Sequence, residues 1–208
     1  MRNDRVVFWE VDAQGDFMLP GGKLYVPGAE KIIPNIARLV DEAREGRVLL
    51  VSSACRHLPG DPEFKTFAPH CLRGTPGERI IPQGLAQKVY SIPNDGSVKL
   101  PSSILDNQQL VLEKQSLNVF DNPHTEQIVN QLGKDTEYVV FGVVVEHCVY
   151  WAAKGLLDSG HKVSVVKDAV ETLKGEDGRR SLDELKSLGA TFISTKEAVA
   201  IAARKSAI

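Results

Sequence analysis

No apolar run in this chain approaches the roughly 18 residues that a membrane-crossing helix needs, so no membrane partner is expected. An excess of one charge is missing too. Lysine and arginine total 25, aspartate and glutamate 27, the net charge is -2, and no long run of either sign occurs. Nucleic acid binding calls for a basic face, so nucleic acid is not expected as a partner either. Cysteine is scarce and odd in number: Cys55, Cys71 and Cys148. The opening stretch, "MRNDRVVFWEVD", holds too short an apolar run for a secretory leader. A disulfide framework is therefore not expected, and a reducing, cytoplasmic compartment is. Each thiol must then serve packing, metal ligation or catalysis. Repeats and linkers are also absent, and 208 residues suit a single domain over 1–208 that can bury a proper core.

What is present is alternation. Strand-like apolar runs fall at 5–11, 47–54, 109–114, 137–145, 162–169 and 190–194. Between them lie helical patterns. The first, at 28–46, repeats Ile32, Ile36, Leu39, Val40 and Ala43 on one face, carries Pro34 in its first turns and stops at Gly46. Others fall at 124–133, about 146–159, 179–189 and 195–205. The segment 55–105 breaks the rhythm: it holds most of the eleven prolines and no clear helix. An ordered excursion of that length tends to carry function. The alternation predicts an α/β fold, a three-layer α/β/α sandwich around a six-stranded, mostly parallel sheet. In such sheets ligands bind outside the carboxyl ends of the strands. The residues that follow those ends are Asp12, Cys55 with His57, Lys114 and Cys148.

"VVFGVVVEHCVYWAAKGLL" (139–157) places Cys148 where a buried strand hands over to a helix. Unpaired N–H groups at a helix start stabilise a thiolate and lower its pKa. Lys114, if near, lowers it further. Asp12 is the candidate carboxylate to take the thiol proton and return it to a leaving group. By spacing alone each residue also reads blandly: a packed thiol, a turn aspartate, a solvated lysine.

Three segments resemble the isochorismatase-like cysteine hydrolases, the family that includes the nicotinamidases. "VDAQGDF" (11–17) resembles V-D-x-Q-x-D-F, "EKQSLNVF" (113–120) resembles K-x-x-x-[ST]-x-F with Asn118 at the hydroxyl position, and "GVVVEHCV" (142–149) resembles G-x-x-[TL]-[DE]-x-C-V. Their order and separation match as well. The resemblance implies a catalytic triad of Asp12, Lys114 and Cys148 and a structural Asp16. It also implies a cis peptide at Val143–Val144, turning the Val144 N–H to join that of Cys148 in an oxyanion hole. Phe17 would line the substrate pocket. The implied reaction is cleavage of a C–N bond in a small-molecule amide through a thioester, nicotinamide being the leading substrate, in a chain expected to be a homo-oligomer. Two alternatives are an isochorismatase-type hydrolase of another small molecule, disfavoured by the retained Cys148, and a non-catalytic binding module, disfavoured by an intact triad.

"VSSACRHLPGDPEFKTFAPHCLRGTPG" (51–77) resembles the family's metal segment, V-S-T-A-D-x-H followed by P-x-H-C. It places His57 and His70 on the metal histidines and Cys55 on the metal aspartate. Thiolate and two imidazoles make a plausible zinc set; a lost carboxylate reads equally as a lost metal. Cys71 reads as packing. Arg56 and Arg73 are open between pairing with an anionic substrate and solvation. Glu10, inside a buried strand, needs a partner that the sequence does not identify.

Overall fold

The computed structural model describes residues 5–205. The expected domain 1–208 extends into residues 1–4 and 206–208, which lie outside the described residues. β1 (Val6–Val11) is buried at all six positions, as a central parallel strand covered on both faces must be. It pairs in parallel with β2 (Leu49–Cys55) on one side and β5 (Glu137–Val143) on the other. Beyond β2 come β4 (Gln109–Lys114) and β3 (Val89–Ile92); beyond β5 come β6 (Lys162–Glu171) and β7 (Thr191–Ile193). Every strand pair is parallel.

The sheet therefore has seven strands, not six. The missed one is β3, four residues at an edge with only Ile92 buried. An exposed edge strand needs no apolar run, so it left no pattern inside the proline-rich excursion. That excursion also holds short 3-10 turns at Pro62–Lys65, Pro76–Glu78 and Pro82–Gly84, each opened by a proline whose missing N–H costs nothing there.

Alternation along β1 sorts the core into two layers. Val6 and Phe8 face a cluster shared with the short α1 (Gly15–Met18), α2 (Ala29–Arg44) and α6 (Thr195–Lys205). Val7, Trp9 and Val11 face one shared with α3 (Thr125–Leu132), α4 (Tyr150–Asp158) and α5 (Gly175–Ser187). Pro34 lies inside α2 without ending it, and Gly46 follows with φ +71°. α5 starts four residues before its apolar pattern does, because its first turn is glycine and acid, favourable at a helix N-terminus but silent in hydrophobic spacing. The expected helix start near 146 is a wide π-turn, Val145–Val149, that feeds α4. It carries Cys148 at the carboxyl end of β5.

Candidate active site

Four strand ends converge. Asp12 follows β1 with φ +49°, its N–H still bonded to Ser53 O at 3.0 Å. Cys55 ends β2 in direct register with Lys114, which ends β4. Cys148 arrives from β5. The Lys114 Nζ sits among them, 2.9 Å from Asp12 Oδ2, 2.9 Å from Cys55 Sγ, 3.3 Å from Cys148 Sγ and 3.2 Å from Ser116 O. Lys114 and Asp12 are each only 1% exposed, so neither charge is tolerable without the other.

Burial alone would strip the Lys114 proton, but Asp12 and then the two thiols outweigh it and hold the ammonium well above its usual range. The thiols behave against expectation. The Cys148 thiol is pushed well up, by its hydrogen bond with Cys55, by burial and by the Asp12 charge, against the lowering effect of Lys114. For Cys55 the bond with Cys148 pulls down, but burial and Asp12 prevail and its thiol is also raised. The helix start and lysine are present, yet the neighbouring carboxylate and desolvation prevail.

Cys148 and Cys55 line one pocket that opens to solvent. Its walls are mostly apolar and include Phe17, Phe67, Leu117 and Val144. The Phe17 ring lies 5.1 Å from the His70 ring, and Phe67 lies edge-on to His147 at 5.3 Å. Leu173 closes another side; its backbone N–H, like that of Lys174, donates to the Glu146 carboxylate, at 3.0 and 2.7 Å. The Val143–Val144 peptide is cis.

Donor atoms of Cys55, His57 and His70 all lie within 4.8 Å of one another, and all three residues are buried. The His57 Nδ1 is held by Asp61 Oδ2 at 3.0 Å and the His70 Nδ1 by Ala68 O at 2.8 Å. Both Nε2 atoms are thereby left for the interior, and that of His57 is buried with no hydrogen-bond partner among the described residues. Oriented imidazoles backed by oxygen acceptors are the usual second layer of a metal site. Glu63 Oε1 stands 3.5 Å from His70 Nε2 and 3.8 Å from His57 Nε2. The donor set fits a zinc ion.

A family model described as Isochorismatase domain matches residues 7–90 and 98–197. The chain belongs to the isochorismatase family. It is 26% identical over 185 residues to a nicotinamidase of Saccharomyces cerevisiae, covering 76% of this chain and 84% of that protein. It is 23% identical over 206 residues to a nicotinamidase of Escherichia coli, covering 88% and 91%. The crystal structure of a Pyrococcus horikoshii pyrazinamidase in complex with zinc superposes with a TM-score of 0.73 at 26% identity, covering 91% of this chain and 99% of that one. This is a nicotinamidase-related hydrolase fold.

Asp16 is structural: its carboxylate accepts the N–H groups of Lys23 at 3.0 Å and Cys71 at 2.7 Å. It packs so closely on Gly77 that a Cβ there would stand 2.1 Å from Oδ1. Cys71 is fully buried, with φ +43°. Arg56 pairs with Glu78 at 2.8 Å and Glu113 at 3.3 Å, and Arg73 with Glu113 at 3.0 Å. Neither lines the pocket. Glu10 receives the Ser52 hydroxyl at 2.9 Å. Asn118 caps the short turn that follows it, its Oδ1 accepting from the Phe120 N–H at 3.0 Å.

Sequence reasoning overlooked Gln14, Glu63 and His147. Gln14 clamps Cys55 by both backbone groups: Nε2 donates to Cys55 O and Oε1 accepts from Cys55 N, each at 2.7 Å. It lies inside the first quoted motif, so the signal was there. Glu63 lies in the quoted metal segment, but nothing in a linear string aims it at two histidines.

Proposed function

We propose that this chain is a cysteine hydrolase that cleaves the C–N bond of a small amide through a thioester. One observation carries the reading: Asp12, Lys114 and Cys148, 136 residues apart at the extremes of the chain order, meet at a single buried ammonium, and Cys148 lines a mostly apolar pocket.

The resting Cys148 thiol keeps its proton, because Cys55, burial and Asp12 push it up. Lys114 holds Asp12 through Oδ2, while Oδ1 is buried with no hydrogen-bond partner among the described residues. Oδ1 is where the thiol proton goes as the sulfur attacks the amide carbon. The Val144 and Cys148 N–H groups then receive the developing oxyanion. Protonated Asp12 donates to the leaving amine, and water deprotonated by Asp12 opens the thioester. Lys114 remains charged throughout, so the thiolate forms beside a fixed cation.

An uncharged small amide suits the pocket. Its walls are mostly apolar, and Arg56 and Arg73 are engaged elsewhere. Nicotinamide is the first compound to test, given the named relatives. Cys55, His57 and His70, with Glu63 beside them, would hold zinc. When bound, zinc would supply a Lewis-acid contact for a lone pair of the substrate.

The test is a screen of small carboxamides, nicotinamide included, with ammonia release as the readout, on chelator-stripped and zinc-loaded protein. Ammonia from at least one amide, absent in Cys148→Ala, is the expected result. No release from any amide in either form overturns the reading.

A further inference from the structure

We propose that Cys55 and Cys148 form an oxidisable pair, joined as a disulfide when the protein meets a hydroperoxide. The two sulfurs lie 2.9 and 3.3 Å from one nitrogen, Lys114 Nζ, though they come from different strand ends 93 positions apart. Both line the same pocket, so a molecule as small as a peroxide reaches them together. Cys148 is 6% exposed and Cys55 1%, which makes Cys148 the sulfur that meets the oxidant. Cys71 is outside the pocket, its Sγ against Gly77 O at 3.8 Å. Two thiols on one pocket let the more exposed be oxidised and the other resolve it; because the Cys148 thiol rests protonated, Asp12 takes its proton as the sulfur attacks and passes it to the departing oxygen.

The chemistry balances with a hydroperoxide as the oxidant. Cys148 sulfur attacks the peroxide; its O–O bond breaks and one oxygen stays on sulfur as a sulfenic acid. The thiol proton leaves with the other oxygen as water or alcohol. Sulfur is oxidised by two electrons and the peroxide reduced by two. Cys55 sulfur then attacks Cys148 sulfur. The S–S bond forms, the S–O bond breaks, and the oxygen leaves as water with the Cys55 proton. Closing the pair takes rotation of both side chains and withdrawal of Nζ toward Asp12 Oδ2, already 2.9 Å away. An added dithiol reverses the bond by exchange. The disulfide caps the proposed nucleophile before it reaches irreversible oxidation. It also withdraws Cys55 from His57 and His70. Disulfides of this transient kind are the ones that reducing compartments allow.

The experiment uses the full chain in EDTA, freed of reductant and treated with stoichiometric hydrogen peroxide. Titratable thiols in denaturant should fall from the three of the reduced chain to one, and dithiothreitol should restore them. Intact mass should drop by about 2 Da, with a peptide map linking Cys55 to Cys148. In Cys55→Ser the link is lost, and Cys148 should instead gain about 16 or 32 Da. A wild type in which Cys148 gains about 32 Da while Cys55 stays free overturns the proposal, as does a link through Cys71. These readouts are masses and thiol counts, so they stand or fall apart from amide turnover.

Discussion

Cys55 Sγ lies closer to the Lys114 ammonium, at 2.9 Å, than the candidate nucleophile does, at 3.3 Å. The lysine therefore serves two thiols and one carboxylate, all buried. That competition sets the acidity of the site, and the first prediction concerns it.

Both thiols are raised from their ordinary range, so the wild type should show no thiolate absorbance near neutral pH. Lys114 lowers the Cys148 thiol, so Lys114→Ala should shift thiolate formation further to alkaline pH. Titration of absorbance at about 240 nm checks this; a wild-type midpoint below about 8, or one unmoved by the substitution, counts against it.

Cys148→Ala should lower kcat at least about 1,000-fold on any amide the wild type turns over. The side chain lost is small, so the urea midpoint should move by no more than about 1 kcal/mol equivalent. Retained turnover would remove Cys148 as nucleophile.

Glu10 is wholly buried, and burial, with Asp12 nearby, raises its carboxyl to about 8. A raised acid holds its proton in the fold after the unfolded chain has released it. Its contribution is fully present below about 4.5, and it is lost as pH rises through about 8. Glu10→Gln keeps the shape without the titration. Urea unfolding should show the variant gaining on the wild type by about 2 kcal/mol or more between pH 5 and pH 9. Parallel curves across that range would refute the assignment.

Chelator-stripped protein should take up about one zinc ion per chain. His70→Ala should weaken uptake at least about tenfold, while Cys71→Ala, outside the donor set, should leave it unchanged. Elemental analysis after dialysis against limiting zinc decides; no retained zinc would dismiss the site.

Gly142 lies beside β1 with φ +116°, and a Cβ there would stand 2.1 Å from Val11 O. Neither the angle nor the backbone oxygen can yield cheaply. Gly142→Ala should destabilise the fold by about 3 kcal/mol or more, read by urea unfolding. A change below about 1 kcal/mol would show that the strand pair has more room than the structure gives it.

The sequence by itself determined the fold class, because buried parallel strands and amphipathic helices write their periods directly into the chain. It put Asp12, Lys114 and Cys148 at or just past strand ends as well, since those ends can be read from the apolar runs. The cap that Asn118 makes on the Phe120 N–H is local, two residues away, yet the motif marked Asn118 only as a departure at the hydroxyl position. Tertiary structure decided the rest. β3 gains its partners from β4 rather than from its own pattern. The order of strands sets Cys55 beside Lys114 across β2 and β4, an adjacency no local spacing encodes. Glu10 finds Ser52, and Glu63 finds His57 and His70, only once the strands and excursion have packed. The direction of the thiol shifts changed for the same reason: a helix start and a lysine are local expectations, but desolvation and the charge of Asp12 depend on what the whole fold brings within a few ångströms.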